Sequence, residues 1–373
     1  MNSKLLIRKT FSFLSLIFLF PSCHVARYFW WNFADINDYK KFPYLEIHKG
    51  GQTYEFSKAP DNFEFFIPEK YNPDKKRTDF DSFLEKHKTV AFLIISNDSI
   101  IYENYFAGYS DTSLLPCFSV AKAFVSTLVG IAIDEGYIKS TEQSITDFIP
   151  ELTDPGFQKV TIADLLNMRS GIKFNEGYIS PFAEMAKYYY GKNLIKYIKK
   201  LKIREEPDLH YDYISVNTLL LSLAIERATG MKSSEYLQNK IWQHAGMEHD
   251  ASWNVDSKKH QTLKAFCCIN AWARDFARFG RLYLNKGKYK NKQIVPEKWV
   301  EISTSIINDS RDSQGYPYTY HWRVLENGAF FAKGILGQYI FVYPEKNLIF
   351  VRLGKKYAGI DWADLFLELS KQL

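Results

Sequence analysis

Apolar and polar positions alternate along this chain with different periods in different segments. Residues 90–96 are almost wholly apolar and rich in branched and aromatic side chains, Asn97-Asp98 interrupts them, and residues 99–106 resume in the same style. That pattern predicts a β-hairpin. Residues 120–133 are apolar at nearly every position and stop short of Gly136, which predicts a buried helix. From about 140 to 305 the helical period dominates, with predicted helices at 162–168, 182–203, 217–229 closed by Gly230, 233–244, and 271–285 closed by Gly287. Strand-like runs return at 320–325, 329–333, 338–342 and 348–353, and residues 362–369 read as a last helix. Strands at both ends with helices between and after them predict an α+β (α/β) fold. Its antiparallel sheet would be completed by the two halves of the chain, flanked by helices and carrying an inserted, mostly helical subdomain.

The first residues follow another logic. Lys4, Arg8 and Lys9 precede an apolar stretch at 11–20 that ends in Pro21-Ser22-Cys23, the layout of an export signal. Ten residues at about 1.5 Å each reach about 15 Å, half of a bilayer core of about 30 Å, so a spanning helix is the weaker reading. A small residue before Cys23 resembles the bacterial lipobox and makes Cys23 the candidate lipidation site. Phe20-Pro21-Ser22 departs from the usual Leu-Ala-Gly, which leaves ordinary cleavage open, as well as a retained anchor helped by Phe29-Trp30-Trp31. Each version predicts export, and the lipidated one attaches the protein to a membrane through its N-terminus. Residues 24–88, with Pro43, Pro60, Pro68 and Pro73 among aromatics, read as a segment that wraps around a main domain at 89–373.

Composition narrows the function classes. With 46% hydrophobic and 24% charged residues over 373 positions, the chain can bury a large core. Lys plus Arg minus Asp plus Glu is 48 − 42 = +6, and 45 − 42 = +3 without the three N-terminal cations, which is no nucleic-acid footprint. The run Lys196, Lys199, Lys200, Lys202, Arg204 reads as a solvated helix face. Cys267 and Cys268 lack CxxC spacing and, with Cys117, read as buried thiols. His244 and His249 carry no metal-ligand pattern, and phosphate loops, dinucleotide glycine triplets, His-Glu-x-x-His and Gly-x-Ser-x-Gly are absent. Neither a metal nor an organic cofactor is expected.

Ser-x-x-Lys occurs twice, at Ser119-Val120-Ala121-Lys122 and at Ser170-Gly171-Ile172-Lys173. Ser119 opens the apolar helix, so Lys122 lies one turn above it on the same face, and the helix N-terminus turns N–H groups to where an oxyanion would form. Ser170 is followed by Gly171 with no helix after it, which predicts a turn. A serine hydroxyl needs a base, and a lysine near its ordinary value of about 10.4 is protonated, so burial must lower it. A tyrosine suits the role of second proton carrier, and Tyr213, just before the helix at 217–229, is the candidate. Each residue also has a plain structural role open to it: helix cap, surface lysine, packing ring.

Taken in order, Ser119-x-x-Lys122, Tyr213-x-Ser215 and Gly334-Ile335-Leu336-Gly337-Gln338 resemble the serine β-lactamase and penicillin-binding-protein superfamily. The nearest branch is that of 6-aminohexanoate-dimer hydrolase and related esterases. The resemblance covers about residues 89–373 and takes in Leu165–Gly171 and Arg274–Gly280. It implies Ser119 as acylated nucleophile, Lys122 as base, Tyr213 as proton relay, and the N–H groups of Ser119 and Ile335 as oxyanion donors. It also implies Tyr178, Gly334 and Gln338 as substrate-binding positions. Penicillin-recognising members carry Lys-Thr/Ser-Gly where this chain has Lys333-Gly334-Ile335, which argues against efficient β-lactam turnover. Cys117 and Phe118 give the site an apolar floor, and an apolar acyl group fits it. The expectation is an exported serine hydrolase acting on a small-molecule ester or amide. A non-catalytic binder of peptides or peptidoglycan fragments on the same fold stays open, as does D-alanyl peptidase or β-lactamase activity.

Overall fold

The computed structural model describes residues 24–31, 33–59, 63–72 and 79–373. The expectations for residues 1–23, including lipidation at Cys23, lie outside the described residues. The chain enters through helix α1 (His24–Trp31), strands β1 (Tyr44–Ile47) and β2 (Ser57–Lys58), and helix α2 (Phe80–Lys86). The hairpin β3 (Thr89–Ser96) and β4 (Ser99–Tyr105) follows, then β5 (Leu115–Pro116) and the long helix α3 (Ala121–Asp134). The middle carries α4 (Ile162–Leu166), α5 (Glu184–Tyr190), α6 (Leu194–Ile198), α7 (Val216–Thr229), α8 (Ser233–Leu237), β6 (Ala251–Asn254), β7 (Ile269–Ala271) and α9 (Ala273–Leu284). A small hairpin of β8 (Lys288–Tyr289) and β9 (Lys292–Gln293) leads to α10 (Glu297–Ser303), then β10 (Tyr318–Thr319), β11 (Trp322–Val324), β12 (Phe330–Gly334), β13 (Gln338–Tyr343), β14 (Leu348–Gly354) and α11 (Trp362–Ser370).

Eight strands form the main sheet in the order β10-β11-β12-β13-β14-β3-β4-β2, antiparallel except where β2 runs parallel to β4. The two halves of the chain meet at the pairing of β14 with β3, as the sequence predicted. Asn97 and Asp98 both take positive φ (49° and 61°), which is what a tight two-residue hairpin turn demands. Alternate residues of the central strands enter opposite cores. Leu93, Ile95, Ile340, Val342, Ile349 and Val351 face one cluster with α3, α7 and α9. Phe92, Ile94, Phe341 and Phe350 face the other, with Phe83 of α2 and Trp362 and Phe366 of α11. Burial on both faces is why these strands read as unbroken apolar runs rather than as alternation.

Several expectations change in detail. The helix predicted at 182–203 is two short ones, because the backbone turns extended at Gly191 and Asn193 then caps the second through Lys196 N–H at 2.9 Å. The run predicted at 320–325 holds only β11: Tyr320 and His321, both at positive φ, form the turn that joins it to β10, which lies just before the run. The segment 140–305 is less uniformly helical than expected. Its β6 and β7 join β1 and β5 in a four-stranded antiparallel sheet ordered β1-β6-β7-β5, and α9 belongs to the core of the main sheet. Cys267 and Cys268, expected as thiols, are bonded to each other, while Cys117 is a free buried thiol. Among the described residues no helix is long and apolar enough to cross a membrane.

Candidate active site

Strand β5 delivers the chain to the site: Cys117 N–H bonds to Ile269 O of β7 at 2.9 Å, and Phe118 then takes φ +46°. A buried phenylalanine in the left-handed region is strained, and here it turns the chain sharply into the helical turn that starts α3. Ser119 sits in that turn and Lys122 one turn later, so the side chains meet: Lys122 Nζ donates to Ser119 Oγ at 3.0 Å. The same nitrogen donates to Ser215 Oγ at 3.2 Å and to the Phe266 carbonyl at 2.9 Å, and Lys122 is 1% exposed. Three oxygen partners surround it, which is how a lysine head group is accommodated inside an apolar core.

Tyr213, in the segment before α7, lies with its ring centroid 4.9 Å from Lys122 Nζ. On its other side Arg323 of β11 approaches the ring at 5.7 Å, held by a 2.6 Å bond to buried Asp312. His321 joins Thr218 and Tyr318 at 3.1 and 3.2 Å, and burial pushes its imidazole well below the usual range. The end of β12 closes the site. A Cβ on Gly334 would lie 2.6 Å from Cys117 O and 3.1 Å from Ser119 N, so glycine is what lets this strand come so near the Ser119 N–H. Ile335 follows and lines an apolar cavity of about 250 Å³ over Ser119, with Phe33, Phe118, Tyr178 and Tyr357.

Glu176 is the residue that sequence reasoning missed. Its carboxylate accepts from Ser215 N–H at 2.7 Å, from Ser215 Oγ at 2.5 Å and from the Tyr178 hydroxyl at 2.6 Å. Burial pushes its carboxyl above the usual carboxylate range, opposed by Lys122 and by the bonds from Ser215 and Tyr178. Tyr178 is thus at the cavity, its ring 42% exposed while the hydroxyl turns inward. Gln338, expected at the substrate, is not there: its amide is fully buried and bonds both the N–H and the carbonyl of Gly354, at 2.8 and 2.9 Å. That side chain ties β13 to β14. Lys333 bonds the Gln314 side chain and lies 5.4 Å from the Tyr357 ring centroid, and burial, aided by Arg323, lowers it to about 8. The second Ser-x-x-Lys is the expected turn, with Gly171 at φ +66° and Lys173 exposed. Among the described residues no group of three or more metal-ligating side chains gathers.

The geometry has counterparts in known proteins, because the Beta-lactamase family profile matches residues 77–360. The chain belongs to the Beta-lactamase family. It is 29% identical over 297 residues to 6-aminohexanoate-dimer hydrolase of Paenarthrobacter ureafaciens, covering 74% of each chain. A solved Bacillus anthracis protein assigned to the 6-aminohexanoate-dimer hydrolases shares its fold, with TM-score 0.78, 24% identity, and coverage of 92% of this chain and 94% of that one. A family VIII carboxylesterase superposes with TM-score 0.64 at 17% identity, over 85% of this chain and 99% of its own. Hydrolysis is the activity class that membership of the Beta-lactamase family carries here.

Proposed function

We propose that this Beta-lactamase-family chain is an exported serine hydrolase that cleaves a small ester or amide through an acyl-enzyme on Ser119. The observation that carries the reading is the contact of Lys122 Nζ with Ser119 Oγ at the mouth of an apolar cavity. In the proposed reaction Ser119 Oγ attacks the carbonyl carbon and its proton passes to Lys122 Nζ, which acts in its neutral form. The carbonyl oxygen gains the negative charge and is held by the N–H groups of Ser119 and Ile335. Tyr213 relays a proton to the leaving oxygen or nitrogen as its bond to carbon breaks. Water then attacks the acyl group by the reverse route and frees Ser119. The apolar lining from Phe33, Phe118 and Tyr357 supports an apolar acyl group, and the Tyr178 hydroxyl, fixed on Glu176, is placed to meet the leaving group. Export, with Cys23 as the attachment point, is part of the proposal and rests on residues 1–23 of the sequence.

The test is a fluorophosphonate probe on the full-length protein, followed by intact mass, beside Ser119→Ala. One adduct that vanishes in the variant supports the reading. A folded wild-type protein that takes no adduct overturns it in favour of a ligand-binding role.

A further inference from the structure

One face of the protein presents large apolar side chains close together. On α1, Phe29 and Trp30 are 70% and 86% exposed, and Phe33 just beyond is 53% exposed. In the loop before α5, Ile179 and Phe182 are 81% and 79% exposed. The two segments form one surface. The Tyr28 hydroxyl donates to the Ile179 carbonyl, the rings of Phe29 and Phe33 stand edge-on to Tyr28 at 5.7 and 6.1 Å, and Arg27 Nε donates to Tyr190 O of α5 at 2.6 Å. Phe33 also lines the cavity over Ser119, so this surface runs onto the mouth of the site. Beside it lies a groove of about 1140 Å³ that Trp30 and Trp31 share with Lys40, Lys192 and Lys258. Its carboxylate, Asp256, accepts from the N–H groups of Leu194 and Thr262 at 3.0 and 3.1 Å, and the three lysine side chains reach solvent.

We propose that this face docks onto a bilayer containing anionic lipid. Phe29, Trp30, Phe33, Ile179 and Phe182 enter the boundary between headgroups and acyl chains, and Lys40, Lys192 and Lys258 lie against headgroup phosphates. Two observations name a lipid surface as the occupant. Aromatic and aliphatic tips bordered by lysines are the composition that seats at a membrane interface. The face also begins with His24, directly after a stretch whose three cations and apolar residues 11–20 have the composition of a membrane-targeting segment. Docking this way turns the cavity over Ser119 toward the lipid, so the substrates are amphiphilic esters or amides whose apolar acyl part leaves the bilayer directly. That last step rests on the proposed acyl-enzyme reading, whereas the docking does not.

The experiment uses the full-length chain on phosphatidylcholine–phosphatidylglycerol vesicles whose acyl chains carry bromine near the headgroup, a contact quencher of tryptophan. The wild type is expected to show quenching that disappears in Trp30→Phe/Trp31→Phe. With both tryptophans retained, it is expected to be lost in Phe29→Ser/Ile179→Ser/Phe182→Ser and weakened in Lys40→Glu/Lys192→Glu/Lys258→Glu. Unquenched Trp30 and Trp31 in vesicle-bound wild type overturn the docking, whether residues 11–20 or a second copy of the chain cover the face instead. Equal quenching in the triple-serine variant overturns it too, and equal quenching on pure phosphatidylcholine overturns the role of the lysines. Turnover of a short soluble ester is read in parallel. Quenching without turnover removes the hydrolase reading alone, and turnover without quenching removes the docking alone.

Discussion

Ser119 lies in a turn that runs straight into α3, so three residues bring Lys122 Nζ to 3.0 Å from its hydroxyl, whereas Ser170 precedes Gly171 at φ +66° and the chain bends away with Lys173 in solvent. The two copies share a spacing and differ in the backbone between. Only a helical turn stacks residues i and i+3 on one face, and only a buried one strips water from both partners. The second copy still has work to do. Ser170 Oγ donates to Asn217 Oδ1 at 2.8 Å, and the carbonyls of Met168 and Arg169 each accept at 2.8 Å, from the N–H groups of Asp212 and Asp208. The turn at 168–171 therefore grips the stretch that carries Tyr213 and Ser215, and so sets one wall of the site that the first copy opens.

The largest effect that separates the copies is expected at the lysines. Lys122→Ala should slow acylation by about 10²–10⁴-fold, while Lys173→Ala should shift stability by no more than about 0.5 kcal/mol and leave acylation untouched. Stopped-flow release from a chromogenic ester reads both, and comparable slowing in the two variants would erase the distinction.

The glycines come next. Gly334→Ala drives a Cβ against the backbone at Cys117 O and Ser119 N, so kcat should fall by up to about 10²-fold beside a lowered Tm, since a small displacement of Ser119 is enough. Gly171→Ala meets positive φ and the Glu205 carbonyl, and should cost about 1–3 kcal/mol of stability while the folded fraction keeps its kcat. Thermal melts set beside single-turnover rates discriminate, and the pairing fails if both variants lose only stability.

The smallest effect is at Glu176. Glu176→Gln keeps the shape but weakens the acceptor for Ser215, and the low end of what a hydrogen bond to a charged group contributes, about 1.5 kcal/mol, predicts a drop of about tenfold in kcat/KM. Burial raises this carboxyl, so its accepting form is lost as pH falls through that raised value, and the wild type should show an acidic limb absent from the variant. For stability the sign is opposite. Between the ordinary and the raised value the native state holds the proton more tightly than the unfolded chain, so stability declines as pH rises, and Glu176→Gln flattens that slope. An unchanged pH profile in the variant would confine Glu176 to a structural role.

Much of this was legible in the sequence because it is local. The hairpin turn at Asn97-Asp98, the buried α3 and the meeting of Ser119 with Lys122 follow from backbone periods and from neighbours three residues apart. The strands of the main sheet were visible for the same reason: with both faces covered, they cannot afford polar positions. The misplacement of Gln338 shows the limit. It sits in a motif at the site, but it opens β13, and its amide is taken up by the N–H and carbonyl of Gly354 at the end of β14, a partner sixteen residues on.

Local pattern was thus enough for the sheet-and-helix order, for the pairing of Ser119 with Lys122, and for the apolar floor under them. It took the packed molecule to bring Glu176 onto Ser215, the Phe266 carbonyl onto Lys122 Nζ, and Cys267 into a bond with Cys268 beside it. The pairs Glu176–Ser215 and Lys122–Phe266 lie 39 and 144 residues apart. No backbone period links such positions. They meet because α3, α7 and the β6–β7 sheet pack around one core, and packing is settled by the whole set of buried surfaces rather than by any segment read alone.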